Sequence, residues 1–292
     1  GRSNPLENKI LMNDILNISE GEFKDFLIKV NKPQPNEGGN PLEHFLYNKN
    51  RYLEYVGWHK GNNSTKAHFI ADRKYVIQFV KYPNPNQWLF TGVYEVGTLK
   101  EAQSDDGLVY TLVESPKYAK YSGRLVVHFK INQGRVSTKY FLERDYALFS
   151  VVEIKESKFE GDEFQGYESV ELPFPALERI INSQKTSWKS ALSSVKGVYV
   201  ITDKSNGKHY IGSAYGNEMI WNRWSAYVKS YHGGNKGLKP LVEQHGKEYI
   251  EQNFHFALLE TFKSTVEDSV IGQRESYWKN VLDTRIHGYN EN

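Results

Sequence analysis

The stretch GVYVITDKSNGKHYIGSA, Gly197 to Ala214, constrains the fold of this chain more than any other. Val198–Thr202 and Lys208–Gly212 are rich in β-branched and aromatic residues. They flank Asn206-Gly207, a dipeptide that favours a tight hairpin because both residues tolerate positive φ. The two arms are therefore neighbouring strands. Tyr199 and Tyr210 stand on either side of the turn and face the same side of the sheet. Such a pair is ordinarily a cross-strand aromatic contact worth about 0.2–1 kcal/mol. The segments downstream decide whether it is more than that.

GNEMIWNRWSAYVKSY (Gly216–Tyr231) has an apolar stripe at helix spacing: Ile220, Trp224, Tyr227, Val228 and Tyr231. Arg223 follows Ile220 by three and precedes Tyr227 by four, so it sits at the edge of the buried stripe. A lone arginine there commonly lays its stem along aromatic surface. The last helix, VIGQRESYWKNVL (Val270–Leu282), repeats the anomaly with the opposite sign. Glu275 falls among Ile271, Trp278 and Leu282. A carboxylate in that place needs a partner. It is either bridged to Lys279 four residues on, or it is an acid or a metal ligand. FHFALLE (Phe254–Glu260) reads as a strand with His255 on the side away from Phe254 and Phe256, a structural or solvent-facing histidine.

The rest of the chain is read more coarsely. SEGE (Ser19–Glu22) fits a capping box, and Phe23, Phe26, Leu27 and Val30 recur at helix spacing. NKPQPNEGGNP (Asn31–Pro41) is a loop, and a second short helix covers Leu42–Tyr55. From Lys74 the segments KYVIQFVKY, WLFTGVYEV, LVYTLVES, GRLVVHFKI, VSTKYFL and FSVVEI are short strands separated by turns such as NQG (Asn132–Gly134). Strands at this spacing suggest an antiparallel sheet or barrel. FPALERIINS, with Pro175 in its first turn, and SWKSALSS are helices. A domain boundary is expected near residue 185, giving units 1–185 and 186–292.

The chain has 292 residues, 39% hydrophobic, 25% charged and 14% aromatic, long enough for one or two soluble domains. No apolar run reaches the length of a membrane span, no signal peptide is visible, and the start at Gly1 instead of Met is taken as a trimmed end. Cysteine is absent, which excludes disulfides and thiolate metal sites and permits a cytoplasmic location. A net charge of +2 leaves the partner open.

In chain order, Gly197-Val198-Tyr199, Tyr210-Ile211-Gly212, Arg223, Glu275 in RESYWK and Asn290 in GYN resemble the GIY-YIG nuclease superfamily. The resemblance runs from Lys196 to Asn292, a third of the chain. It departs from the family at Val198, where isoleucine is usual. Tyr227 stands where some members carry histidine; the incision subunit of bacterial nucleotide excision repair is similar there. The long N-terminal extension is similar to that of restriction-type members.

The resemblance implies an α+β fold, a small antiparallel sheet flanked by helices. It also implies an endonuclease that hydrolyses DNA with one divalent ion, Mg²⁺ or Mn²⁺, and Glu275 as its only protein ligand. Arg223 would contact the scissile phosphate. Tyr199 would orient or deprotonate water, helped by a nearby positive charge from Lys208 or the metal. Tyr210 and Tyr227 would bond the water or phosphate, and Asn290 would support the substrate or the Glu275 end of the site. His232 would aid proton transfer or touch phosphate, or is simply a loop histidine. Lys236 and Lys239 would touch backbone phosphate. Residues 1–185 would recognise the nucleic acid. Their strands resemble PUA-like barrels, where aromatics sandwich a flipped or modified base; the same aromatics otherwise fill a β core. The expected partner is DNA, modified or not, with no membrane; RNA and oligomeric state stay open. The rival readings are a repair or recombination nuclease and a nucleic-acid-binding module that does not cut, against which the intact set of residues argues.

Overall fold

The computed structural model describes residues 8–34, 40–103, 106–131 and 138–292. The turn read at Asn132–Gly134 and residues 35–39 of the loop read at Asn31–Pro41 lie outside the described residues. Contacts divide the chain into two compact units, Gly1–Glu160 and Gly161–Asn292.

The first unit contains strands β1 (Phe26–Asn31), β2 (Trp58–Gly61), β3 (Tyr75–Lys81), β4 (Gln87–Glu101), β5 (Gly107–Glu114), β6 (Leu125–His128), β7 (Lys139–Phe141) and β8 (Ser150–Ile154). Its helices are α1 (Met12–Leu16), α2 (Pro41–Tyr47), α3 (Lys49–Val56) and α4 (Leu142–Asp145). The strands form one sheet in the order β2-β5-β4-β3-β1-β7, with β6 and β8 branching from β4. The branch exists because β4, 15 residues long, pairs with β6 at its start and with β5 at its end. Among the described residues the path ends at β2 and β7 and does not close, so the expected PUA-like barrel is an open, branched sheet.

Phe26–Asn31 is a strand, not the second half of a helix. It pairs parallel to β3 and antiparallel to β7. Phe26, Ile28 and Val30 bury into one core with Phe79, Phe90 and Phe149, while Leu27 joins Tyr52, Val56 and Val76 on the other face. A strand buried on both faces reads as a continuous apolar run, and over so few residues that run is indistinguishable from helix periodicity. Ser19 does precede a 3-10 helix, Glu20–Asp25, but its side chain makes no capping bond.

The second unit contains β9 (Glu171–Pro173), α5 (Phe174–Ser183), α6 (Thr186–Leu192), β10 (Val195–Asp203), β11 (His209–Ala214), α7 (Ile220–Ser230), α8 (Lys239–Asn253), β12 (Phe254–Lys263), α9 (Asp268–Val281) and α10 (Thr284–His287). Its sheet is antiparallel in the order β11-β10-β12-β9. The unit begins earlier than residue 185 because β9 pairs with β12 and α5 buries Phe174, Leu177 and Ile180 in the core that holds Trp224 and Phe256. The sheet separates two cores. Tyr199 and Ile201 face α5, α7 and α8; Val198 and Ile211 face Ile271 of α9. The helix α8 is broken at Gly246, whose φ is 78°.

The hairpin turn is wider than a two-residue turn. The ladder ends at Thr202↔His209, and the Asp203 carbonyl accepts from the Gly207 N–H at 2.8 Å. Gly207 has φ 75°, and Asn206 is not in the left-handed region. Asp203 itself is fully buried. Its carboxylate accepts from the Ser205 N–H at 3.0 Å and hydroxyl at 2.6 Å, from the Tyr289 hydroxyl at 2.6 Å, and from the Tyr249 hydroxyl. One carboxylate thus ties the turn to α8 and to the segment after α10. Asp203→Ala should strand these hydroxyls and lower the stability of this unit by about 3 kcal/mol, read as a drop in the urea midpoint followed by tryptophan fluorescence.

Candidate active site

The site is built where α7 crosses the face of β10. The register pairs Tyr199 with Gly212 and Ile201 with Tyr210, so both tyrosines face the same side, diagonal to one another. Gly212 is required at its position: a Cβ there would lie 2.4 Å from the ring of Tyr199. The Tyr199 ring thus lies on the backbone of β11 itself. A bulge on β12 opposite Val198/Tyr199 distorts the ladder on the other side of β10, as bulges beside functional sites commonly do. Gly197 is packed against the Glu260 carbonyl and Ile220, at 2.7 and 3.1 Å from a would-be Cβ.

Tyr199 and Tyr227 are both completely buried, ring edge to ring face at 5.9 Å, and their hydroxyls are 2.8 Å apart. The Arg223 Nε–H donates to the Tyr199 oxygen at 3.2 Å. Its Nη1 donates to the Gly233 carbonyl at 3.1 Å and its Nη2 to Asn235 Oδ1 at 3.0 Å. Asn235 Nδ2 in turn donates to the Tyr227 hydroxyl at 2.5 Å. A guanidinium only donates, so the orientation of the Asn235 amide follows from the network. Each of the two phenol oxygens accepts one N–H, Tyr199 from Arg223 and Tyr227 from Asn235, and the two hydroxyls share one further hydrogen bond between them.

Burial pushes the Tyr199 phenol up, while the Arg223 charge and the Tyr227 hydrogen bond pull it back. Tyr227 is raised well above the ordinary phenol by burial, and then by the charges of Tyr199 and Tyr210. Tyr210 is likewise raised, chiefly by burial. Burial works against the charge of Arg223, yet the surrounding phenols hold it above its usual value.

Glu275 lies across the sheet. Ser213, opposite Val198 on the other face of the edge strand β11, donates its hydroxyl to Glu275 Oε2 at 2.5 Å. The Lys279 ammonium sits 3.0 Å from Oε1. This bridge is not a surface pair, because Lys279 is buried and also donates to the Asn292 carbonyl at 3.0 Å. The Glu275 side chain is 21% exposed. Its charge reaches Tyr199 and Tyr210, raising both. The two groups of side chains thus meet around β11.

Asn290 is buried and serves that strand. Its Oδ1 accepts from the Ile211 N–H at 2.7 Å, and its Nδ2 donates to the Ile211 carbonyl at 2.8 Å. Both ends of the amide are occupied by backbone. His232 Nδ1 accepts from the Gly234 N–H at 2.9 Å, shaping the loop that carries Gly233 and Asn235. Lys208 stands over the Tyr289 ring at 5.7 Å, so the cation beside Tyr199 is Arg223. Lys236 and Lys239 are exposed. His255 pairs with Glu171, as befits a histidine outside the core. Asn235 and Ser213 were not singled out in the sequence, whereas Lys279 was read as the partner of Glu275 four residues on. An asparagine after Gly-Gly was a signal for the first; nothing in the spacing marked Ser213.

No family model matches the chain. The chain is 33% identical over 95 residues to "Intron-associated endonuclease 1" of Enterobacteria phage T4, a match covering 32% of this chain and 36% of the relative. The chain thus spans about a third of the length of that curated relative. Two solved structures are similar. The catalytic domain of intron endonuclease I-TevI, solved as a mutant, is 27% identical, with 34% of this chain and 94% of that one covered and a TM-score of 0.28. The catalytic domain of homing endonuclease I-TevI is 29% identical, with 32% and 96% covered and a TM-score of 0.26. Superpositions of that quality carry no argument.

Because burial holds Tyr199, Tyr210 and Tyr227 above the free phenol, their neutral forms contribute stability that is complete below pH about 10 and lost as pH rises beyond it, where unfolded tyrosines ionise. Urea midpoints should fall with pH above that point, and the triple Tyr→Phe variant at these positions should flatten the slope. Over about a third of its length, the chain is similar in sequence to an intron-associated endonuclease of phage T4.

Proposed function

We propose that the chain is a metal-dependent endonuclease that hydrolyses phosphodiester bonds of DNA, of the restriction or defence type, acting in the cytoplasm with its N-terminal unit choosing the target. The observation that carries this reading is the buried Tyr199 oxygen, which accepts from the Arg223 Nε–H at 3.2 Å and lies 2.8 Å from the Tyr227 hydroxyl. The guanidinium and that hydrogen bond offset part of what burial costs the phenolate, the form of tyrosine that takes a proton from water. The name of the phage relative, an intron-associated endonuclease, supports carrying that chemistry to DNA.

Arg223 uses three of its five N–H groups within the protein. The remaining two are available to a phosphate oxygen, whose charge rises as water attacks. Asn235 holds the guanidinium plane and the Tyr227 hydroxyl together, fixing the direction of both. Tyr210, on the same face, would bond the attacking water or the phosphate.

Glu275 would hold the divalent ion. Each carboxylate oxygen accepts one donor within the protein, from Ser213 or Lys279, which leaves a lone pair on each. Among the described residues there is no cluster of three side chains fit to ligate a metal. That donor set fits a hard cation whose other ligands are water and phosphate. Such an ion would polarise the phosphate and offset the charge of the leaving oxygen.

The test is cleavage of unmodified, methylated and hydroxymethylated plasmids with and without Mg²⁺. Metal-dependent fragments are expected. Glu275→Ala should abolish them while leaving DNA binding intact, and Arg223→Ala should slow cleavage by about 10²–10³-fold. Cutting by the Glu275 variant at the wild-type rate would remove the metal assignment.

A further inference from the structure

Glu275 is matched in charge before any ion arrives. Its Oε1 is 3.0 Å from the Lys279 ammonium, and its Oε2 accepts from the Ser213 hydroxyl at 2.5 Å. Lys279 stands one helical turn later on α9. Pairs at that spacing are weak on a surface, where water screens both charges. This one is sheltered: the Lys279 side chain is 8% exposed and that of Glu275 is 21% exposed.

The ammonium is also fixed in place. Its three protons meet three acceptors: Glu275 Oε1, the Asn292 carbonyl at 3.0 Å and Asn292 Oδ1 at 3.3 Å. Separating it from Glu275 would leave a buried cation without its counter-ion. The carboxylate is thus gripped from two sides, by its own helix and by β11, and has one orientation.

The neighbouring acids are committed as well. The other carboxylate of α9, Asp268, is 2.9 Å from the Lys196 ammonium and accepts from the Gly216 N–H at 2.9 Å. Glu260 of β12 holds Arg274 at 2.7 Å and the Trp278 indole N–H at 2.8 Å. Arg223 adds a further cation; its charge and that of Glu275 both reach Tyr199. Arg223, Lys279 and Glu275 together leave the site positive. A divalent cation enters such a place against a repulsion that low exposure leaves poorly screened. A phosphodiester carries the negative charge that is missing.

We propose that Lys279 is a positioning residue that holds Glu275 in place and cancels its charge, so that the free protein binds a divalent ion weakly and holds it tightly only together with a DNA phosphate. This rests on reading Glu275 as the protein ligand of that ion. Hard cations commonly take one carboxylate together with substrate phosphates. Ion and DNA then each raise the affinity for the other by the same factor.

The test is Mn²⁺ binding to the full chain, read from the spin-resonance signal of the free ion. It is made with and without a short DNA duplex, at 4 °C, with the duplex shown intact on a gel. Duplex should tighten Mn²⁺ binding to the wild type by about tenfold or more. Lys279→Met, which keeps the aliphatic stem, should tighten binding to the free protein about tenfold and shrink the further gain from duplex. Lys279→Arg, which keeps the charge, should not tighten it. A lysine that only braced the helix would leave the affinity unchanged or lower it. If Lys279→Met is unfolded without metal, Mn²⁺ should restore its tryptophan fluorescence by mass action. Equal Mn²⁺ affinity in wild type and Lys279→Met overturns the proposal, as does an unfolded variant that Mn²⁺ does not rescue. So does wild-type protein whose Mn²⁺ affinity is the same with and without bound duplex. A Glu275→Ala variant that holds Mn²⁺ beside bound duplex as well as the wild type refutes the underlying assignment of the ion to Glu275. Protein that binds no duplex refutes the reading of the chain as a DNA enzyme, and is seen separately as an absent anisotropy change.

Discussion

The absence of a side chain at Gly212 is the constraint on which the nuclease-like unit depends. It lets the Tyr199 ring settle on the backbone of the neighbouring strand, where any Cβ would occupy the ring's own space. Once that ring is placed, Tyr227 meets it at right angles from α7, and Arg223, one helical turn earlier, reaches the same oxygen. Gly233 repeats the device from the loop after α7: its φ is 59°, and a Cβ would fall 2.7 Å from the Tyr227 ring. Two glycines therefore set the depth of two tyrosines. The hydroxyls rather than the rings are left to converge on the guanidinium.

Much of this was legible in the sequence, and what was not has a physical reason. The hairpin, the shared face of Tyr199 and Tyr210, and the place of Arg223 at the edge of the α7 stripe all follow from periods of two and 3.6 residues. Those periods are local. Asn235 and Ser213 enter through loop geometry and cross-sheet packing, which no period records. Lys279 was readable as a neighbour of Glu275 but not as buried, because burial depends on where Asn292 lies. The early start of the second unit was hidden for a similar reason: β9 is three residues long and acquires its meaning only from pairing with β12. In the first unit, β1 passed for a helix because both its faces are apolar.

The two units manage buried charge differently. In the second, Asp203, Arg223 and Lys196 each have partners of their own. Asp203 has its ring of hydroxyls, Arg223 its phenols and carbonyls, and Lys196 the Val266 carbonyl and Asp268. In the first, Arg73 and Glu143 are matched in the same way, by two bonds of 2.8 and 2.7 Å that hold the glutamate near 2. The opposed pair Lys29 and Lys139 differs in setting two cations across a strand pair, one on the Val56 carbonyl and the other on Asp72.

The edge of β11 is completed by residues that arrive very late. Ile211 and Asn290 are 79 positions apart, and the Tyr289 N–H reaches the His209 carbonyl across a similar span. Closing so long a loop costs entropy before its bonds are gained, and contacts of high sequence separation form slowly. On a ribosome, β11 is therefore an open strand edge while α7, α8 and β12 are already made. An open edge can pair with any passing strand. The segment HGYN covers part of that edge, and the strand carrying Tyr210 and Ser213 gains these bonds only when the rest of the unit has been synthesised.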